Sequence, residues 1–134
     1  MGSFKLDPRI EADTAYVADW GLSRVLLMNN ARFPWLILVP RRVELSEFHD
    51  LKHAERMVLI EEISRASLSL KTLTNAVKIN VGALGNKVNQ LHIHIVARNE
   101  GDAAWPGPVW GSGSPVAYEQ DAKAALIERL RTGL

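Results

Sequence analysis

The sequence predicts an α+β domain in which an antiparallel sheet carries one long helix. Three observations predict it. Two short apolar runs, residues 24–29 (RVLLMN) and 35–39 (WLILV), flank residues 30–34, which hold Asn30 and Pro34 and read as a turn. Residues 50–73 place Leu59, Ile63, Ala66, Leu70 and Leu73 three or four apart, one apolar helical stripe. Residues 76–83 (AVKINVGA) and 90–97 (QLHIHIVA) alternate with period two, as strands with one polar face do. Strand, strand, long helix, strand, strand and a closing helix is the order of an α+β fold.

Taken in order, residues 7–20 (DPRIEADTAYVADW) carry Pro8 near their start and scattered apolar residues, the mark of a short helix or an irregular lead-in. Trp20 beside Gly21 packs at a turn. The runs 24–29 and 35–39 pair as a hairpin, the second ended by Pro40; Trp35, Leu36, Ile37 and Leu38 are core. Arg41 and Arg42 follow as a solvated pair or a phosphate contact. The helix over 50–73 takes Asp50 as N-cap and Glu61–Arg65 as an i,i+4 pair on its wet side. At roughly 36 Å it lies across the sheet, and its stripe serves the core or a dimer contact. The strand at 76–83 sets Val77, Ile79 and Val81 on one face and Lys78, Asn80 and Gly82 on the other. Residues 99–115 hold three prolines, four glycines and two tryptophans, which makes a structured loop. Residues 116–131, with Ala124, Ile127 and Leu130, close the chain as a helix.

The 134 residues make a single domain, 1–134, large enough for a core without staples. Sixteen basic against fifteen acidic residues leave a net charge of +1. That balance argues against a nucleic-acid partner but leaves room for a local phosphate site. The chain has no cysteine, which excludes disulfides, thiolate zinc sites and cysteine nucleophiles. No apolar run approaches the roughly 20 residues of a membrane span, so no membrane partner is expected. The start, MGSFKL, lacks a signal-peptide pattern; Gly2 invites comparison with a myristoylation site, but Leu6 stands where Ser or Thr is wanted. Residues 1–3 read equally well as a cloning remnant, and a cytoplasmic location is expected.

The chemistry gathers on residues 90–94. Leu91, Ile93 and Ile95 point to one side; Gln90, His92 and His94 stand in a row on the other, about 7 Å apart along the strand. Such a row is a solvated face, a metal site or a cradle for phosphate. Asn80 on the preceding strand and the loop with Gly82, Gly85, Asn86 and Lys87 favour phosphate, because loop N–H groups and a cation suit an anion.

The run Gln90-Leu91-His92-Ile93-His94-Ile95-Val96 resembles the motif of the histidine triad (HIT) family, in which three histidines alternate with apolar residues. Further likenesses accompany it. LLMNNARFPWLILVPRR is similar to the family's nucleotide-pocket hairpin, GNKVNQ to the loop before the triad, and AAWPGPVWG to the aromatic C-terminal portion of a bacterial branch. Together they cover about residues 22–111. The resemblance implies a HIT-like α+β fold that pairs as a two-fold homodimer with a continuous sheet. It also implies a hydrolase or transferase that cleaves a purine nucleotide conjugate at the α-phosphate, as a nucleoside phosphoramidase or dinucleoside polyphosphate hydrolase does, with adenine the favoured base.

By the same resemblance His92 is the nucleophile that forms a nucleotidyl-histidine, and His94 holds a non-bridging phosphate oxygen. Gln90 replaces the first histidine; its amide donates and accepts but cannot gain a proton. Gln90→His is therefore expected to be tolerated and to help the leaving group depart. Asn29 matches a ribose contact, Asn80 an amide near the phosphates, and Asn86 lies in the substrate loop. Lys87 and Val88 match a Ser/Thr-Val pair beside the leaving group, with Lys87 departing from the hydroxyl. Trp105 and Trp110 are the candidates to shape the base or substrate pocket, of this subunit or of its partner. The chemistry suits imidazole, a good nucleophile when neutral. A carbonyl or carboxylate on its other nitrogen would fix the tautomer. No cofactor and no metal are expected.

Two rivals stand beside this reading. His49 and His53, spaced i,i+4, could join His92 and His94 in a four-histidine metal site, or lie on the surface. Alternatively the domain binds nucleotide as a sensor without turnover, a reading that Gln90 keeps open. Arg98, ending the histidine strand, is a rim charge or a phosphate contact.

Overall fold

The computed structural model describes residues 3–134. Met1 and Gly2, and with them the myristoylation reading and most of the cloning-remnant reading, lie outside the described residues. The chain begins with helix α1 (Pro8–Asp13), capped by the Asp7 side chain and started by proline, whose fixed φ suits a first turn. Strand β1 (Thr14–Asp19) follows without a loop. Then come β2 (Ser23–Met28), β3 (Trp35–Pro40), helix α2 (His53–Thr74), β4 (Lys78–Gly82), β5 (Ile93–Arg98) and helix α3 (Gln120–Gly133). The five strands form one antiparallel sheet in the order β1-β2-β3-β5-β4.

The pleat divides the sheet into two cores. Val25, Leu27, Leu36, Leu38, Ile93 and Ile95 face helices α2 and α3, meeting Leu59, Ala66, Leu70 and Leu130. Leu26, Trp35, Ile37, Val39 and Val96 face the other way, where α1 and the loop 99–115 supply Ile10 and Val109. His92 and His94 belong to this second face and are buried. The helices therefore carry most of the hydrophobic burial, and the smaller second layer leaves room for a site.

Several elements differ from the sequence reading. Of residues 7–20, expected as a short helix or an irregular lead-in, Pro8–Asp13 is the short helix α1, while 14–19 are the edge strand β1, paired to β2 with a bulge at Val17. Asp50, expected to cap the long helix, instead closes a 3-10 turn (Phe48–Asp50) by accepting from the Glu47 and Ser46 N–H groups. The helix starts at His53, where the Glu55 carboxylate accepts from the Lys52 N–H. Arg65 does not pair with Glu61: its guanidinium lies 4.2 Å from the centre of the Trp20 ring and donates to the Leu134 carbonyl. Arg41 and Arg42 are not solvated alike. Arg41 donates to the Trp20 and Gly21 carbonyls, and Arg42 pairs with Glu55. Of the apolar face expected at 77, 79 and 81 only Ile79 packs on the core, and Val77 and Val81 are exposed at the sheet's other edge, β4.

Among the described residues no helix is long and apolar enough to cross a membrane.

Candidate active site

The site grows from the register of β3 and β5. Ile37 lies opposite His94, and Trp35 opposite Val96. Trp35 and His94 thus share a face in diagonal positions, close enough for long side chains to touch. The Trp35 Nε1–H donates to His94 Nδ1 at 3.0 Å. An acceptor Nδ1 puts the proton of a neutral imidazole on Nε2. Burial, and secondly the neighbouring His92, push the His94 pKa down to about 4. His94 is therefore a neutral ring with an N–H to offer.

His92 has the opposite tautomer. Its Nδ1 lies 2.6 Å from the Gln90 carbonyl. A carbonyl oxygen only accepts, so Nδ1 carries a proton, and in the neutral ring the lone pair is on Nε2. The two ring centroids are 4.9 Å apart and nearly edge to face. The strand expected over 90–97 begins only at Ile93, so His92 lies just before β5 and His94 within it, an electron-pair donor beside a hydrogen-bond donor.

A cavity of about 580 Å³ opens on this face, lined by Met28, Asn29, Trp35, Lys87, His94 and Trp110, among others. A smaller one of about 130 Å³ holds Arg9, Val88, His92 and His94. Asp13, Met28 and His94 border both, so His94 stands where the two spaces meet. The larger volume suits a mononucleotide-sized ligand, being concave and largely apolar with a few polar groups.

The candidates from sequence divide as follows. Asn29, Lys87, Val88, His92, His94 and Trp110 border these cavities. Trp110 belongs to this chain's own pocket and meets the His94 ring at 5.6 Å. Trp105 does not line either cavity; it lies over the Arg98 guanidinium. Asn80 is also drawn elsewhere, its Oδ1 accepting from Arg98 Nη1 at 2.8 Å. Asn86 is exposed on the loop and borders neither space. Gln90 turns its side chain away from the histidines, to the backbone of residues 5 and 7. Arg98 is neither a rim charge nor poised for phosphate: it is 2% exposed, paired bidentately with Asp102 and bonded to the Gly107 carbonyl. That guanidinium holds the Asp102 carboxyl down at about 2.

Three site residues escaped the sequence reading. Trp35 is core as expected, yet its indole N–H sets the His94 tautomer; only strand register reveals this. Arg9 and Asp13 lie on α1, where nothing in the local pattern points to the histidines. Among the described residues no three His, Asp or Glu side chains converge as a metal cage. His49 sits on the 3-10 turn with its side chain 83% exposed, so the four-histidine alternative is not assembled.

An antiparallel five-stranded sheet with a crossing helix and two histidines at the start of β5 defines a recognisable class, and residues 9–101 match the model of the HIT domain. The chain belongs to the HIT family. It is similar to a histidine triad protein from Bradyrhizobium japonicum, with 45% identity over 98% of each chain and a TM-score of 0.96. A histidine triad protein from Sinorhizobium meliloti 1021 is 43% identical over 98% of this chain and 97% of its own, with a TM-score of 0.96. One from Marinobacter aquaeolei VT8 is 42% identical over 99% and 97%, with a TM-score of 0.97. No curated protein matches the chain.

Proposed function

We propose that this protein is a nucleotide hydrolase or transferase that cleaves a purine nucleotide conjugate at the α-phosphate through a nucleotidyl-histidine on His92. The observation that carries the reading is the pair of opposed tautomers. The His92 Nδ1–H is tied to a carbonyl, and the His94 Nδ1 is tied to an indole.

In the first step the His92 Nε2 lone pair bonds to the α-phosphorus. The bond from phosphorus to the leaving group breaks, and its electron pair departs with that group, which takes a proton from water if it is basic enough to need one. The ring keeps its Nδ1 proton, so the adduct is a cationic imidazolium, which the Gln90 carbonyl steadies. No proton need leave His92 at this stage. The His94 Nε2–H donates to a non-bridging oxygen as charge gathers there, a fixed donor of the kind that lowers such barriers. In the second step a water oxygen bonds to phosphorus, the P–N bond breaks, its electrons return to Nε2, and the water releases a proton. A hydroxyl in place of water makes the same step a transfer. Trp110 and Met28 offer faces for a base, and the Asn29 amide lies on the same cavity for a ribose.

The test is hydrolysis of an adenosine phosphoramidate and a dinucleoside polyphosphate. His92→Ala should lower kcat/KM by at least about a hundredfold. Unchanged hydrolysis in the variant would remove His92 as nucleophile. Tight nucleotide binding without turnover of either substrate would favour the sensor reading.

We also propose that the protein forms a homodimer through β4. That strand is a sheet edge with Val81 exposed on it and Val77 exposed just before it, and α2 also exposes Met57, Ile60 and Leu68. Unpaired edges and exposed large apolar side chains call for a partner.

A further inference from the structure

The Gln90 side chain makes two hydrogen bonds, and neither reaches a histidine. Its Oε1 accepts from the Asp7 N–H at 2.8 Å, and its Nε2 donates to the Lys5 carbonyl at 2.8 Å. Both ends of one amide thus clasp an extended segment that runs beside the triad strand. Phe4 and Leu6 of that segment pack on the second core. Position 90 therefore acts on its neighbours through this segment.

The segment delivers a cation. Asp7 caps α1 through the Arg9 N–H and forks the Arg9 guanidinium at 3.1 and 3.0 Å. Arg9 Nη1 donates to the Lys87 carbonyl at 3.0 Å. Three of the five guanidinium N–H groups are used in this way, and two are left. The Asp7 carboxyl is held below the usual range, first by these bonds from Arg9, so the pair stays ionised. The Arg9 side chain is 62% exposed and borders the smaller cavity with His92 and His94. Lys87 borders the larger one. Asp13 is the acidic residue common to both linings.

We propose that Arg9 selects a leaving group that carries negative charge, and that Gln90 is the positioning residue that holds Arg9 in place. This rests on His92 as the attacking group. The bulk of a mononucleotide fills the larger cavity, and the departing group lies at the mouth where the two spaces meet, beside Lys87 and the Arg9 that holds its carbonyl. A phosphate-bearing leaving group gains a charge-assisted hydrogen bond there; ammonia or an amine gains none. The exchange of histidine for glutamine at position 90 then has a physical sense. A primary amide accepts and donates from adjacent atoms, matching the N–H of residue 7 and the carbonyl of residue 5. The nitrogens of an imidazole point in diverging directions and cannot make both bonds to that segment. Gln90→His, expected from sequence alone to be tolerated, should release Arg9 instead.

The experiment measures kcat/KM on a dinucleoside polyphosphate and on an adenosine phosphoramidate, and reads their ratio. Arg9→Gln should lower the ratio by about tenfold or more. Gln90→Leu should lower it similarly, and the double variant should add little, because the two act in series. An unchanged ratio in Arg9→Gln would overturn the proposal, as would fully additive effects. A second arm measures binding of AMP and ATP to His92→Ala by calorimetry. Arg9→Gln should weaken ATP by about tenfold relative to AMP; equal effects on both would also overturn it. If the wild type hydrolyses neither substrate, the hydrolase reading falls, and the binding arm still decides the role of Arg9. Arg9 is exposed, so its variant tests the idea even if Gln90→Leu does not fold.

Discussion

At the scale of single residues the account rests on which nitrogen holds which proton. Trp35 and the Gln90 carbonyl favour opposite tautomers in the two histidines. A consequence for stability follows from His94. Its pKa in the folded chain is about 4, against an ordinary 6.5. Between those values the unfolded chain holds more protons than the folded one. The contribution is complete above about pH 6.5 and declines as pH falls towards 4, by roughly 3 kcal/mol in all. His94→Gln should flatten this part of the curve in denaturant unfolding at about pH 7 and about pH 4.5; an unchanged slope would show that the ring titrates normally. The two histidines were legible in the sequence as a pair on one face. Their tautomers were not, because these depend on a tryptophan 59 positions away and on strand register.

At the scale of elements, the loop after β5 is fixed by a buried ion pair. Arg98 lies against Phe33 and Trp105 and is bonded to Asp102, Asn80 and Gly107. It ties β4, β5 and the loop that carries Trp110. Arg98→Met should destabilise the fold by about 3 kcal/mol, because Asp102 is left without its partner. Chemical denaturation checks this, and a change below about 0.5 kcal/mol would contradict it. An arginine ending a strand reads as a rim charge, since the partners that bury it arrive only when the loop folds back. Strand β1 was hidden for a related reason. Thr14 follows Asp13 with no glycine or proline between helix and strand, and only Val17 of its residues is fully buried. The runs of β2, β3 and β5 were plain because both of their faces are covered. The helix stripe was plain too, while its start slid from Asp50 to His53 because the acidic residue was claimed by the preceding turn.

At the scale of the molecule, the sheet has two edges, and the β4 edge carries exposed Val81 with Val77 just before it, while α2 exposes Met57, Ile60 and Leu68. Sedimentation equilibrium should give about twice the 14.9 kDa chain mass at micromolar protein, and Leu68→Arg together with Val81→Lys should give the single mass. A wild type that sediments as a single chain would contradict the pairing. The α+β class and the histidine face followed from alternation and helical spacing alone. The clasp between Gln90 and residues 5–7 did not, since it joins positions 83 and 85 apart.

The most direct test of the central claim is to trap the intermediate. Mixing the protein with an adenosine phosphoramidate or a dinucleoside polyphosphate and quenching in alkali, which spares a P–N bond, should leave one nucleoside monophosphate on the peptide that contains His92. Turnover with no adduct at His92, or with the adduct on another residue, would contradict the account.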